Sequence, residues 1–250
     1  MVNRTSDPRD ADQPLLSIII PAFNEAERLP STLQRIMDFV RTRNAVIEVV
    51  VVDNGSSDGT RDIVSDFAAR YPAVRYLFEG VRGKGAAVRT GMMDGRGMYL
   101  LICDADLAVP IAEVDNFLQE LGDYDIVIGS REAEGAKRFG EPFHRHLMGR
   151  IFNFIVRTLL LPGLHDTQCG FKCFRRIAAR DLFSLSTIDG WSFDAEILYI
   201  ARQRHYRIAE LPVTWYYGER SKINPARDTW LMLKEVFRIR DNGRKGLYRT

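Results

Sequence analysis

The chain has 250 residues, of which 46% are hydrophobic, and its formal net charge is +2. This length and composition can bury a full core, which excludes a disordered protein and leaves one large or two small domains open. Basic residues are concentrated in two segments: ten Lys or Arg against four Asp or Glu in 131–180, and nine against four in 218–250. This local excess predicts a particular anionic partner and argues against general nucleic-acid binding.

The three cysteines, Cys103, Cys169 and Cys173, are an odd number in a long chain. That count argues against a disulfide framework and favours a reducing compartment. Cys169 and Cys173 have no second Cys or His pair nearby, which argues against a zinc site. No uncharged apolar run reaches the roughly 18 residues that span a bilayer, and residues 1–14 are polar rather than a signal sequence. We expect residues 1–14 to be a mobile tail and no helix to cross a membrane.

Apolar runs of strand length alternate with segments of helical spacing along the chain. The predicted strands are 15–20, 46–52, 74–78, 98–103, 125–128 and 207–213; predicted helices start near Asn24–Glu25, Ser57–Asp58, Gly83–Gly85 and Pro110, and others cover 147–161, 191–200 and 226–240. The alternation predicts an α/β fold with a mostly parallel sheet and helices on both faces. In such folds functional residues lie in loops beyond the carboxyl ends of the strands.

The apolar run that starts at Tyr99 stops at two aspartates one residue apart. Asp104 and Asp106 point to the same side of an extended chain, and Ala105 points away. Two carboxylates at the end of a buried strand need a cation, and Mg²⁺ or Mn²⁺ is suited to carboxylate and phosphate oxygens. The spacing also allows one aspartate to cap the next helix while the other is solvated.

Two further polar clusters, Pro21–Glu25 and Asp53–Asp58, also follow predicted strands, which favours one shared site. The segment Gly80–Gly85 lacks the spacing of a Walker loop or a dinucleotide fingerprint. It is either an ordinary glycine-rich helix start or a turn that presents backbone N–H groups and Lys84 to a diphosphate.

The second half of the chain is more basic. We expect Gly129–Pro142 to be a mobile loop and Asp166–Lys172 to be a polar turn. The predicted helix at 147–161 has a wide apolar face with Arg150 and Arg157 near its edge. It is either a core helix or a helix lying in a membrane interface.

In this order the polar stretches resemble the family 2 inverting glycosyltransferases of GT-A fold, in the branch that makes polyprenyl-phosphate sugars. The segment Asp104–Pro110 is most similar to the dolichyl-phosphate glucosyltransferase branch. The matching stretches are Ile20–Glu25, Val52–Thr60, Gly83–Gly85, Asp104–Asp106, Gly129–Arg131, Asp166–Lys172, Phe193–Glu196 and Ser221–Lys222. Asn54 departs from the pattern, because many relatives carry a second Asp there.

The resemblance implies the residues of the site. The nucleotide sugar would be held by Pro21, Ala22, Phe23, Glu25, Asp53 and Lys84 together with Asp104, Ala105 and Asp106. The metal, Mg²⁺ or Mn²⁺, would be held by Asp104, Asp106 and Gln168. The acceptor phosphate would be held by Arg131 and Arg145.

The resemblance further implies transfer of a hexose, with UDP-glucose as the first choice of donor, to polyprenyl or dolichyl phosphate at the cytoplasmic face of a membrane. We expect a tail at 1–14, a GT-A domain at 15–217 with a nucleotide-sugar half (15–130) and an acceptor half (131–217), and a basic amphipathic membrane-interface helix at 218–250. Alternatives are GDP-mannose or a UDP-N-acetylhexosamine as donor, a soluble or polysaccharide acceptor, a sugar-1-phosphate nucleotidyltransferase, and a scaffold without catalysis. A homo-oligomer or a membrane partner subunit stays open.

Overall fold

The computed structural model describes residues 13–218 and 225–249, and the backbone alone at 143–148 and 225–229. The nine strands in this part of the chain are β1 (Leu16–Ala22), β2 (Ile47–Asp53), β3 (Val74–Phe78), β4 (Tyr99–Ile102), β5 (Ile126–Ser130), β6 (Lys137–Phe139), β7 (Lys172–Arg175), β8 (Ile208–Pro212) and β9 (Thr214–Tyr216). The α-helices are α1 (Leu29–Arg41), α2 (Thr60–Arg70), α3 (Lys84–Asp94), α4 (Val114–Glu120), α5 (Phe143–Leu159), α6 (Arg176–Leu185), α7 (Phe193–Gln203) and α8 (Pro225–Arg244).

Seven strands form one sheet in the order β3-β2-β1-β4-β7-β5-β8. Every neighbouring pair is parallel except those of β7, which is antiparallel to β4 and β5. The mostly parallel sheet is therefore confirmed. The short strands β6 and β9 form a separate parallel pair, which we call the ribbon.

The sheet is covered on both faces, as its near-continuous apolar strands predict. All seven residues of β2 are buried. Val49 and Val51 pack with α1, α2 and α4 on one face, whereas Val50 and Val52 pack with α3, α5, α6, α7 and α8 on the other. Because successive side chains of a strand point to opposite faces, β2 contributes to an apolar layer on each face of the sheet.

Several predictions from the sequence need correction. Asn24 has φ +51°, which stops a regular helix at that point, and α1 begins four residues after Glu25. The expected loop 129–142 contains β6, and Lys172 begins a central strand rather than ending a turn. The strand β7 is only four residues long and antiparallel, so neither its length nor the βα alternation marks it in the sequence.

Helices α5 and α8 each carry apolar side chains on two sides. Phe152 and Val156 of α5 are buried in the core, while Ile151 and Phe154 are exposed. In α8, Val236 and Ile239 are buried, while the exposed apolar residues are Trp230, Leu231 and Phe237. Within the described residues, no helix combines the length and hydropathy needed to cross a bilayer.

Candidate active site

The carboxyl ends of β1, β2 and β4 lie side by side in the middle of the sheet. Ala22 pairs with Asp53 across β1 and β2, and Cys103 N–H donates to Ile19 O, which places Asp104 next to the end of β1. The three polar clusters predicted to share one site therefore leave the same edge of the sheet. The three clusters share this edge because parallel strands of βα units end on the same side of the sheet.

The first loop and Asp53 form one side of this edge. Asp53 is buried and accepts hydrogen bonds from Tyr76 Oη at 2.9 Å and from Ser56 N–H at 2.9 Å. The Phe23 ring lies 5.2 Å from the Arg82 guanidinium carbon. Glu25 forms an ion pair with Arg28 at 2.9 Å. Pro21 is half-buried, and Ala22 is buried and its carbonyl accepts from Asn54 N–H at 2.8 Å.

Asn54 ties this loop to the glycine-rich segment. Its Nδ2 donates to Glu79 O at 3.2 Å and to Val81 O at 2.7 Å, and its Oδ1 accepts from Gly83 N–H at 2.7 Å. A carboxylate cannot donate, so an aspartate here could not make this set of bonds. The departure from the family pattern at Asn54 is therefore matched by a specific structural role.

Lys84 and the two aspartates form the charged centre of the site. Lys84 Nζ lies 2.6 Å from Asp104 Oδ1. Burial disfavours the charged lysine, but the negative charges of Asp104, Asp194 and Asp106 and the hydrogen bond to Asp104 together outweigh burial and raise the pKa of Lys84. Burial and the charge of Asp104 raise the pKa of Asp106. Lys84 and Asp104 thus form an ion pair, and the two carboxylates repel one another.

The backbone around the aspartates is held firmly. Ala105 is buried, and its carbonyl accepts from Thr32 Oγ1 of α1 at 2.6 Å. Asp106 Oδ1 accepts from Ala108 N–H at 3.1 Å, and Leu107 has φ +48°. A non-glycine residue in the left-handed region is uncommon and is often found at functional sites.

The segment that follows Asp166 reaches the centre from the other half of the chain. A Cβ atom at Gly170 would clash with Oδ2 and Cγ of the Asp104 carboxylate. Gln168 lies two residues earlier, and its backbone N–H donates to Asp166 Oδ1 at 3.0 Å. A Cβ at Gly218 would lie 3.3 Å from Asp106 Oδ2. The loop of Gln168 therefore passes close to the aspartates.

A second, buried ion pair lies near Lys84, whose pKa is affected by the charge of Asp194. Lys172 Nζ lies 2.6 Å from Asp194 Oδ1, and both side chains are almost inaccessible. Lys172 also donates to Cys169 O, which anchors the loop of Gln168 to β7. The rings of Trp191 and Phe193 lie 5.6 and 6.0 Å from Lys84 Nζ.

Arg131 is held by Asp166 in the second half of the chain. Its Nε and Nη2 donate to the carboxylate at 2.7 and 3.0 Å, and its backbone N–H donates at 3.0 Å. Asp166 is fully buried, which opposes ionisation, but the charge and hydrogen bonds of Arg131 outweigh burial and hold its pKa well below the usual range. The Arg131 guanidinium also lies 5.5 Å from the centre of the Trp215 ring.

Arg145 belongs to α5, but its side chain lies outside the described residues, as do Ser221 and Lys222. Arg28, whose Nη1 lies 4.0 Å from Asp106 Oδ2, was not among the residues predicted for the site. Nor were the roles of Asp166 and Asp194 as ion-pair partners predicted. These depend on long-range contacts that no local pattern signals.

The donor set of the aspartates fits a hard divalent cation. Asp104 Oδ1 is buried and lies 2.6 Å from Lys84 Nζ, and Asp106 adds a second carboxylate one residue away. Among residues 13–218 and 225–249, no group of three or more His, Cys, Asp or Glu side chains is arranged to hold a metal. Two carboxylates completed by diphosphate oxygens are a usual arrangement for Mg²⁺, so the residues present fit the predicted ion.

The fold is that of solved GT-A glycosyltransferases. Glucosyl-3-phosphoglycerate synthase from Mycobacterium tuberculosis, in complex with UDP, superposes with a TM-score of 0.67 at 19% identity, over 93% of this chain and 82% of that one. A complex of the same synthase with Mn²⁺, UDP-glucose and phosphoglyceric acid gives a TM-score of 0.65 at 20% identity, over 95% and 81%. The predicted GT-A fold is confirmed.

Sequence comparison reaches the same family. Dolichyl-phosphate beta-glucosyltransferases are 36% identical in Dictyostelium discoideum, over 92% of this chain and 75% of that protein, and 34% identical in Homo sapiens, over 92% and 76%. The Saccharomyces cerevisiae protein of that name is 31% identical over 98% and 79%. Glycosyl transferase family 2 matches residues 17–183, which include both aspartates, Lys84, Arg131 and Gln168. The chain belongs to glycosyl transferase family 2 and is a glycosyltransferase of GT-A fold.

Proposed function

We propose that the protein transfers glucose from UDP-glucose to the phosphate of a polyprenyl or dolichyl phosphate, with inversion at the anomeric carbon. The observation that carries the proposal is the cluster of Lys84, Asp104 and Asp106 in a chain whose relatives are named dolichyl-phosphate beta-glucosyltransferases. Residues 15–130 would hold the donor and residues 131–217 the acceptor. We place the reaction at the cytoplasmic face of a membrane.

On the donor side, Pro21, Phe23, Glu25 and Asp53 would hold the nucleoside, and Lys84 would donate to the diphosphate. Asp104 and Asp106, with Gln168 close by, would hold Mg²⁺ or Mn²⁺, which when bound acts as a Lewis acid toward the leaving diphosphate. Lys84 is fixed by Asp104 and adds a positive charge where negative charge grows in the transition state.

On the acceptor side, a phosphate monoester has a second pKa of about 6, so it is mostly a dianion at pH 7 and needs no strong general base. Asp166 accepts one hydrogen bond each from Nε and Nη2 of Arg131, so the N–H groups of Nη1 and the second N–H of Nη2 would donate to the acceptor phosphate. A guanidinium fixed in this way would orient the phosphate for in-line attack. Arg145 would add a second positive charge.

The test is transfer of radiolabel from UDP- and GDP-sugars, with Mg²⁺ or Mn²⁺, into chloroform-extractable polyprenyl-phosphate sugar. We expect label from UDP-glucose. Asp104→Ala and Asp106→Ala should each lower transfer at least about 100-fold, because each removes a carboxylate that would hold the ion next to the leaving group. Asp38→Ala, which removes an exposed carboxylate of α1, is the matched control.

Each contrary outcome identifies a different error. Label from GDP-mannose or a UDP-N-acetylhexosamine alone would show that this nucleotide sugar, and not UDP-glucose, is the donor. Hydrolysis of a nucleotide sugar with no label in the lipid phase would contradict the lipid acceptor. Full transfer by Asp104→Ala and Asp106→Ala would contradict their role in holding the ion.

A further inference from the structure

The ribbon of β6 and β9 carries an exposed aromatic pair next to the active site. Phe139 and Tyr216 are partners in the register of the ribbon, and their rings stack at 5.1 Å with an interplanar angle of 17°. Phe139 is 47% exposed and Tyr216 is 49% exposed. Two stacked rings half open to water are an apolar surface that a ligand can cover.

The ribbon is attached directly to the loop of the two aspartates. Tyr216 N–H donates to Ala108 O at 2.8 Å, and Ala108 N–H donates to Asp106 Oδ1. Gly218, two residues after Tyr216, is the residue whose Cβ would lie 3.3 Å from Asp106 Oδ2. Two residues of extended chain span about 7 Å, so the pair begins within that distance of the point where the chain passes Asp106.

The other face of the ribbon meets the acceptor arginine. The ring of Trp215, the residue before Tyr216, has its centre 5.5 Å from the guanidinium carbon of Arg131. An acceptor phosphate between Arg131 and the aspartates would therefore have the ribbon beside it. The group attached to that phosphate must leave the site past a neighbouring surface, and this aromatic pair is such a surface.

We infer that Phe139 and Tyr216 bind the phosphate-proximal isoprene units of the acceptor. The inference rests on the proposed function, since it takes the acceptor to be a prenyl phosphate. The ligand combines an anionic head with a branched hydrocarbon. The described residues place the Arg131 guanidinium against Trp215 and the two stacked rings at the next position of β9 and its partner in β6. Burial of the first isoprene units on the rings would supply affinity that is independent of any membrane.

The test uses citronellyl phosphate, which has two isoprene units, at concentrations below micelle formation and without lipid. Isothermal titration calorimetry measures its binding in the presence of UDP and Mg²⁺. We expect Phe139→Ala/Tyr216→Ala to weaken binding about tenfold. The affinity for UDP should not change. Tyr216→Phe keeps the ring and should bind like the wild type, and Ile177→Ala, a highly exposed apolar residue of α6, is the matched control.

Transfer assays with the same acceptor separate the inference from the proposed function. The double variant should raise the acceptor KM about tenfold while kcat and the donor KM stay the same. Unchanged binding of citronellyl phosphate would overturn the inference, and so would an equal loss in Ile177→Ala or a rise in the donor KM instead. Weakened binding without transfer from any nucleotide sugar would support the prenyl contact and contradict the proposed reaction.

Discussion

Gly170 lies against the carboxylate of Asp104, which has room there only because glycine has no Cβ atom. The glycine lies so close to the carboxylate that Oδ2 and Cγ of Asp104 occupy the space where a Cβ would be. Its neighbours are anchored separately, because Lys172 donates to Cys169 O and Asp166 accepts from Gln168 N–H. The backbone at Gly170 therefore cannot move aside easily, and a side chain there would displace Asp104 instead.

We predict that Gly170→Ala lowers transfer at least about 100-fold, because a shift of about 1 Å in a catalytic group can cost that much. The variant should also bind UDP more weakly in the presence of Mg²⁺, since Asp104 would leave its place beside Lys84. Steady-state kinetics and calorimetry measure the two effects.

Gly149→Ala is the control for this substitution. Gly149 lies in α5 with open space around its Cβ position, so alanine there should leave transfer unchanged. Activity of Gly170→Ala within twofold of the wild type would show that the contact with Asp104 is unimportant.

Helices α5 and α8 each expose more than one large apolar side chain. One side of each packs in the core, and the other presents large apolar side chains to solvent. Arg150, which is exposed, and Arg157, which is half-buried, lie on α5 beside Ile151 and Phe154. Such a combination is typical of helices that lie in a membrane interface, so the core helix and the interface helix are compatible interpretations of one element.

We predict that the protein sediments with liposomes containing anionic lipid at low salt and that Arg150→Glu/Arg157→Glu releases it. Each basic residue near an anionic surface contributes about 1 kcal/mol, so reversing two should weaken binding at least about tenfold. Sucrose-loaded vesicle sedimentation measures the bound fraction.

The control for charge is Arg61→Glu/Arg70→Glu on α2, which makes the same charge change on the other face of the sheet. It should sediment like the wild type. Equal release by both variants would show that liposome binding depends on net charge and not on α5. If the wild type does not sediment with liposomes, α5 is a core helix only.

Across the described part of the molecule, the interior of the sheet is closed to water. The cysteines Cys103, Cys169 and Cys173 are free and almost inaccessible. Cys173 lies in β7, paired with Leu101 on one side and Val127 on the other. Burial raises the pKa of the Cys173 thiol well above its ordinary value of 9.0.

A pH dependence of stability follows from Cys173. Its pKa in the folded state is raised, so its contribution is fully present below pH 9 and is lost as the pH rises and the thiol ionises in the unfolded state alone. Between pH 8 and pH 10 this one thiol should lower the free energy of unfolding by about 1.4 kcal/mol. Urea denaturation at the two pH values measures the loss.

Cys173→Ala provides the comparison. It should be less stable than the wild type at pH 8, since it leaves a cavity, but it should lose less stability on the way to pH 10. Identical losses in the two proteins would show that this thiol does not contribute to the alkaline dependence.

The sequence by itself determined the parallel sheet, the placement of the polar clusters at its carboxyl edge and the family. Apolar runs of strand length and the spacing Asp104-Ala105-Asp106 are local patterns, and parallel βα units bring the ends of their strands to one edge whatever the side chains are. That is why Lys84 and Asp104 could be assigned to one site before their contact was known.

Only the tertiary structure decided which partners hold those groups. The strand β7 is antiparallel and short, so its place between β4 and β5, which carries Gly170 to Asp104, leaves no periodic signal. Arg131 meets Asp166 35 residues away, and Lys172 meets Asp194 22 residues away. Buried charges need partners to offset desolvation, but which charge meets which depends on how the chain crosses the sheet, and local spacing carries no record of that.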